Sequence, residues 1–305
     1  MTRTPNSPSL TIIQRHVNER TAQIGRSLYS QIFDAEVFEV SDDEFTKTLG
    51  QAILLGSQAK GDWVLMTDGD VLPFASIRQM MHCASRVAKD VFVIEPLVFD
   101  KFTASSRRAG IHLYRKSALE MFAEEVQRLV RYDFADYQTT NRPETYLKKI
   151  LVSRGYRRYW FGKTIGLHDF EQSYHDIYRT TYLYSRKYTT LIAQSIDNWR
   201  DLALSDKDYL PALAGFSDGL IDTSSQKFTH GEYKEKWLRH PLAQAIRPKE
   251  ALPQSFEALG QGWAESVADS NHLELDHPGR SMTEEFYNSR ISRLSRKLMA
   301  LVAGR

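Results

Sequence analysis

Two aspartates one residue apart, Asp68-Gly69-Asp70, follow the apolar run Trp63 to Thr67 (WVLMT). Alternate side chains of an extended segment point the same way, so both carboxylates can face one point, and Gly69 keeps the space between them open. Two hard oxygen ligands aimed at one place suit Mg2+ or Mn2+, ions usually held by few carboxylates plus substrate phosphates. The same triplet also reads as a polar turn closing a core strand. A second group lies a hundred residues on, where the apolar, partly β segment Tyr159 to Leu167 runs into His168-Asp169. The neutral imidazole of His168 suits Mn2+, or it caps the next helix through a hydrogen bond. Asp169 is placed as the N-cap of a helix opening with Phe170-Glu171-Gln172.

The elements that must position these groups can be read from periodicity. Leu10 to Gln14 (LTIIQ) reads as a strand, Ala22 to Ile32 has helical spacing, and Ala35 to Val40 alternates as a second strand. Phe45 to Ala59 is helical, and Trp63 to Thr67 is apolar enough to be buried on both faces. Helix-like Ser76 to Ala88, strand Val91 to Ile94, strand Ile111 to Tyr114 and helix Ala118 to Val130 follow. Strands alternating with helices predict an α/β sheet covered on both faces. After Asp169 the pattern changes. Phe170 to Trp199 and Thr283 to Val302 are helical in spacing, while Leu202 to Gly279 is rich in turns and has no clean period. The predicted organisation is a mixed-sheet domain over residues 1–169 and a mainly helical region over 170–305, suited to acceptor binding or self-association as a homo-oligomer.

Composition narrows the class. The 305 residues are 42% hydrophobic and 26% charged, ordinary for a globular chain with a large core. No run of eighteen apolar residues exists, and the start, MTRTPNSPSL, lacks the apolar stretch of a signal peptide. A single cysteine, Cys83, fits a reducing cytosol, so a cytoplasmic protein is expected, with the inner membrane face as an alternative setting. A net charge of +2 gives no indication of nucleic acid as a partner.

The stretch Ala59-Lys60-Gly61-Asp62-Trp63-Val64-Leu65-Met66-Thr67-Asp68-Gly69-Asp70 resembles the GT-A-fold nucleotide-sugar glycosyltransferases, in which a buried strand runs into an Asp-x-Asp, often after Ala-x-Gly-acid-aromatic. The resemblance covers roughly residues 10–170. It implies a GT-A mixed sheet flanked by helices and a UDP- or GDP-sugar donor. It also implies Mn2+ or Mg2+ held by Asp68, Asp70 and His168, with Asp70 the direct ligand and Asp68 reaching the ribose or a metal-bound water. Arg15, at the start of the loop after the first strand, occupies the family's nucleotide-binding position. Asp42 and Asp43 stand where an acid contacts the base, and they read equally as an acidic turn. Gly110 to Leu119 (GIHLYRKSAL) resembles a segment lining the acceptor side. Glu144, shortly before Arg154-Gly155-Tyr156, is either the general base or a first-turn glutamate beside Pro143 that complements the helix dipole.

The chain also departs from the family. Thr145 stands where a second acid belongs, and Ala52 and Ile53 replace an Arg-Asn pair. Two rival readings follow. A haloacid-dehalogenase-type phosphatase also has an Asp-x-Asp after a strand, and Ser217-Asp218-Gly219-Leu220-Ile221-Asp222 resembles its late acidic motif. A non-catalytic transferase-like module would explain Thr145. Tyr174, Tyr178 and Tyr182 stack on sugars or fill a core, and Arg179, Arg186 and Lys187 are a solvated face or bind phosphate. The basic amphipathic stretch Thr283 to Val302 packs on the domain, pairs subunits, or makes peripheral membrane contact. A transferase of bacterial surface polysaccharide would meet a glycan or lipid-linked acceptor there.

Overall fold

A computed structural model describes residues 9–42, 45–131, 143–187, 196–222, 228–249, 252 and 280–282. Strand β1 (Leu10–His16) lies between β2 (Val37–Ser41) and β3 (Trp63–Asp68), parallel to both. The period of two sorts their side chains. Ile13, Val64 and Met66 pack with Leu49, Ala52 and Ile53 of helix α2 (Phe45–Ser57) and with Leu119 and Phe122 of a later helix. Ile12, Trp63 and Leu65 pack on the other face with Tyr29 and Ile32 of α1 (Ala22–Phe33). WVLMT is therefore apolar at every position because both faces are covered.

The sheet continues through β4 (Val71–Pro73), β5 (Val91–Asp100), β6 (Ser105–Arg107), β7 (Ile111–Arg115), β8 (Arg157–His168) and β9 (Arg280–Met282). Its order is β2-β1-β3-β7-β5-β8-β4, with β6 on β5 and β9 on β8. Strand β7 runs antiparallel to β3 and β5, whereas β8 is parallel to β5. Gly69 and Asp70 alone join β3 to β4, yet β4 pairs with β8, so the sheet curls to bring the end of β8 back to the end of β3. Helices α3 (Arg78–Ala84), α4 (Lys116–Arg131) and α5 (Pro143–Ser153) complete the layers. The expected mixed α/β sheet flanked by helices is present, followed by a helical region.

Several boundaries differ from expectation. Arg15 lies inside β1 rather than in a loop, because β1 runs two residues past Gln14. Strand β5 extends through Pro96 to Asp100, and its pairing with β8 shifts register between Glu95 and Leu97, where proline has no N–H to offer. The helix expected from Phe170 begins at Tyr174: α6 is Tyr174–Lys187, and α7 is Ile196–Leu202. Among its described residues, the span read as turn-rich holds three helices, α8 (Tyr209–Ile221), α9 (His230–Arg239) and α10 (Pro241–Ala245). Asp43 and the stretch 283–302 lie outside the described residues.

The helical region shares a core with the sheet. Phe102, just past β5, packs edge-on against Trp199 and Tyr209, and Trp199 Nε1 donates to the Phe102 carbonyl at 2.8 Å. Tyr178 and Tyr182 are fully buried against Tyr233 and Trp237 of α9, so the tyrosine stripe is core. Among the described residues no helix is long and apolar enough to cross a membrane.

Candidate functional site

The carboxyl ends of parallel strands are where open α/β sheets bind ligands, and the register gathers the chemistry-bearing residues there. Arg15 pairs with Asp68 across β1 and β3, Asp100 with His168 across β5 and β8, and Val71 with His168 across β4 and β8. Strand β7 is antiparallel, so its starting residues arrive at the same edge, and the Gly110 carbonyl accepts from Asp68 N at 2.6 Å. Gly110 has a φ of +66°, and a Cβ there would lie 2.6 Å from Val71 Cγ2, 3.1 Å from His168 Cδ2 and 3.5 Å from Asp68 Oδ2. Only glycine serves at that point, for conformation and for space.

Asp70, His168 and Asp169 bring ligand atoms within 4.8 Å of one another. His168 Nε2 is 3.7 Å from Asp70 Oδ1, and His168 Nδ1 is 2.9 Å from Asp169 Oδ2 and 3.1 Å from Asp100 Oδ2. Asp70 Oδ1 is buried with no hydrogen-bond partner. Burial is the main cause that lifts the Asp70 carboxyl to about 7, with Asp169 and Asp68 adding to it against the pull of His168. Burial would lower His168, but Asp169, Asp70 and Asp100 hold it well above its ordinary value. An anionic cluster with an unpartnered buried oxygen is a donor set into which a divalent cation fits.

Asp169 is a correction to the N-cap expectation. It adopts φ +62°, as Glu171 adopts φ +56°, and this left-handed passage before α6 turns its carboxylate back to His168. Thr180 and Tyr184 of α6 donate to Asp169 at 3.5 and 3.2 Å, and Tyr184 also donates to Asp100 at 2.9 Å. Arg107 of β6 donates to Asp100 through Nε at 2.6 Å and also to the Tyr184 hydroxyl. Asp100, Arg107 and Tyr184 went unnoticed in the sequence. One signal existed: VFVIEPLVFD, like WVLMTD, is an apolar run closing on an aspartate.

Asp68 lies beside this group and outside it. Arg15, 2% exposed, donates to Asp68 Oδ1 through Nε and to Glu144 Oε2 at 3.1 Å. Glu144 also meets His112 Nε2 at 3.1 Å, Lys148 Nζ at 3.3 Å and the Tyr114 hydroxyl. Burial would raise the Glu144 carboxyl, but His112, Lys148 and Arg15 outweigh it and hold it well below the usual range. Asp42 sits at the end of β2, half-buried. Arg179 is no solvated residue: its side chain is 15% exposed, 3.7 Å from Glu19, and it interacts with Asp70 and Asp169. Glu19, another unforeseen neighbour, accepts from Val17 N at 2.6 Å and is lifted to about 8 by burial and by Asp70. The late acidic motif of the phosphatase reading is on helix α8, where Asp218 and Asp222 accept from the hydroxyls of Tyr178 and Tyr182, not at a strand end.

No protein-family model matches the sequence, and no curated protein matches it. Solved structures with similarity include a mannosyltransferase from Pyrobaculum calidifontis in complex with GDP-Man and Mn2+, at 10% identity over 88% of this chain and 89% of that one, TM-score 0.40. A glycosyltransferase involved in glycosylation of the major capsid of PBCV-1 is 16% identical over 50% of this chain and 80% of its own, TM-score 0.38. A CMP:2-keto-3-deoxy-manno-octonic acid synthetase complexed with CTP is 10% identical over 50% and 89%, TM-score 0.31. All three TM-scores lie below 0.5.

Proposed function

We propose that this chain is a divalent-metal-dependent glycosyltransferase that moves a sugar from a UDP- or GDP-sugar to a hydroxyl of a glycan or lipid-linked acceptor, as in bacterial surface-polysaccharide synthesis. The observation that carries the reading is the convergence of Asp70, the second acid of the Asp-x-Asp, with His168 and Asp169 at the strand ends, where a buried Asp70 oxygen has no hydrogen-bond partner. These three residues would hold Mn2+ or Mg2+, which when bound neutralises charge on a departing diphosphate. The rest of the work falls to the protein. Asp100 and Asp169 orient the His168 ring through Nδ1, and Arg107 and Tyr184 fix Asp100 in turn. Arg15 holds Asp68 at the donor side, where it would meet the ribose. Gly110 leaves open the space between Asp68 and His168.

Glu144 enters this reading as a positioning residue. Its oxygens are already engaged by Arg15, His112, Lys148 and the Tyr114 hydroxyl, which favours holding neighbouring groups over taking a proton from an acceptor. Its carboxylate anchors Arg15, and Arg15 anchors Asp68.

Calorimetric titration of UDP and GDP in Mn2+ and in EDTA, on the wild type and on Asp70→Ala, tests the proposal. Micromolar binding that needs both the ion and Asp70 supports it. Folded protein that binds neither nucleotide in the presence of Mn2+ overturns it. Metal-dependent binding without sugar transfer to any glycan or lipid-linked acceptor would move the assignment to a binding module.

A further inference from the structure

Helices α6 and α9 bring together a second set of ligand-type side chains. His175 and Asp176 lie in the first turn of α6, and His230 opens α9. Their ligand atoms all lie within 4.8 Å of one another. His230 Nε2 is 3.6 Å from Asp176 Oδ1, and His175 Nε2 is 3.6 Å from Asp176 Oδ2. These separations are too long for hydrogen bonds. Each taken singly is close to the edge of a tetrahedron with bonds of about 2.0–2.1 Å, whose corners stand roughly 3.3–3.4 Å apart; the two end on different Asp176 oxygens, of which the unpartnered Oδ1 would be the ligand.

A buried oxygen points to a missing partner. Asp176 is 2% exposed, and the His230 side chain 10%. Asp176 Oδ1, which faces His230 Nε2, is nonetheless without a hydrogen-bond partner. Arg179 interacts with the Asp176 carboxylate through charge, but a buried oxygen left without a hydrogen bond is costly, so the arrangement calls for a group that accepts its lone pair. The surroundings already orient the set. Ser173 Oγ donates to Asp176 Oδ2 at 2.5 Å and stands 3.0 Å from His175 Nδ1 and 3.3 Å from its Nε2. The two imidazoles meet edge-on, centroids 5.6 Å apart, instead of stacking.

We infer that His175, Asp176 and His230 form a second metal site, distinct from Asp70, His168 and Asp169, that takes a borderline-soft transition ion, Zn2+ foremost. Two imidazoles and one carboxylate are a zinc-type donor set, whereas the first site is richer in oxygen and suits Mn2+ or Mg2+. Three protein ligands leave a fourth position for water or an anionic group. Held by residues of both helices, the ion ties α9 to the start of α6. This inference does not rest on the transferase reading.

The test uses Asp70→Ala protein, so that the first site does not confuse the count, with folding checked by circular dichroism. After equilibrium dialysis at micromolar free Zn2+, one bound equivalent is expected, and Co2+ in its place should give visible ligand-field bands. Adding His230→Ala, which removes a direct ligand, should weaken retention by at least the roughly 10- to 100-fold typical of losing an outer-shell partner. If that variant does not fold, His175→Ala serves in its place, since the His175 side chain is 23% exposed. No Zn2+ bound by Asp70→Ala protein, or Zn2+ retained equally after both histidine changes, overturns the inference and leaves water as the occupant.

Discussion

Whether a carboxylate at the strand ends can ligate depends on what already occupies its oxygens. Arg15 takes one oxygen of Asp68, whereas Asp70 keeps one buried and unpartnered. Asp169→Asn is therefore expected to weaken Mn2+-dependent nucleotide binding by about 10- to 100-fold in a calorimetric titration, and Asp100→Asn, which frees the His168 ring, by roughly tenfold. A smaller loss for Asp169→Asn than for Asp68→Asn would reverse their assigned roles. Gly110→Ala should cost on the order of 1–3 kcal/mol in urea unfolding, because its φ of +66° and the nearby Val71 and His168 side chains both resist a Cβ.

Among the elements, α8 was hidden for the same reason that it packs well. A Cβ on Gly215 would run into the Tyr178 carbonyl and the Thr181 hydroxyl, and one on Gly219 into Ser185 and the Tyr182 carbonyl. Glycines that let two helix backbones approach closely also erase helical periodicity and propensity from the sequence. Gly215→Ala should lower stability by about 1–3 kcal/mol, read as a drop in Tm, because the overlap is with backbone that cannot rotate away. An unchanged Tm would mean that α6 and α8 stand further apart. Strand β3 is the opposite case, since WVLMT is legible wherever both faces are covered.

For the molecule as a whole, a buried charge network joins β5, β7, α5 and β8. Glu95 contacts Lys148 at 2.9 Å and Arg158 at 2.7 Å. Burial would raise its carboxyl, but Lys148, Arg158 and His112 outweigh that and hold it at about 2, against 4.5 in the unfolded chain. A depressed folded pKa contributes stability that is fully present above 4.5 and is lost as pH falls toward 2, on the order of 3 kcal/mol. Urea midpoints at pH 7, 4 and 3 should fall accordingly, and Glu95→Gln, less stable at pH 7, should show a flatter pH dependence. Equal slopes in the two proteins would exclude Glu95 as the acid-sensitive group.

The sequence by itself determined the alternation of strands and helices and the strand that ends in Asp68-Gly69-Asp70, while His168 entered beside Asp70 only through the family resemblance. The first two signals are local, set by the period of side chains and by the residue type that closes an apolar run. Tertiary structure alone decided that Asp169 turns back to His168, that Asp100 and Arg107 brace the ring, and that Glu144 is tied to Arg15, 129 positions away. It also decided that His230 meets Asp176. Each of those outcomes depends on the curl of the sheet or on the register between distant strands and helices, and neither is written in the spacing of neighbouring residues.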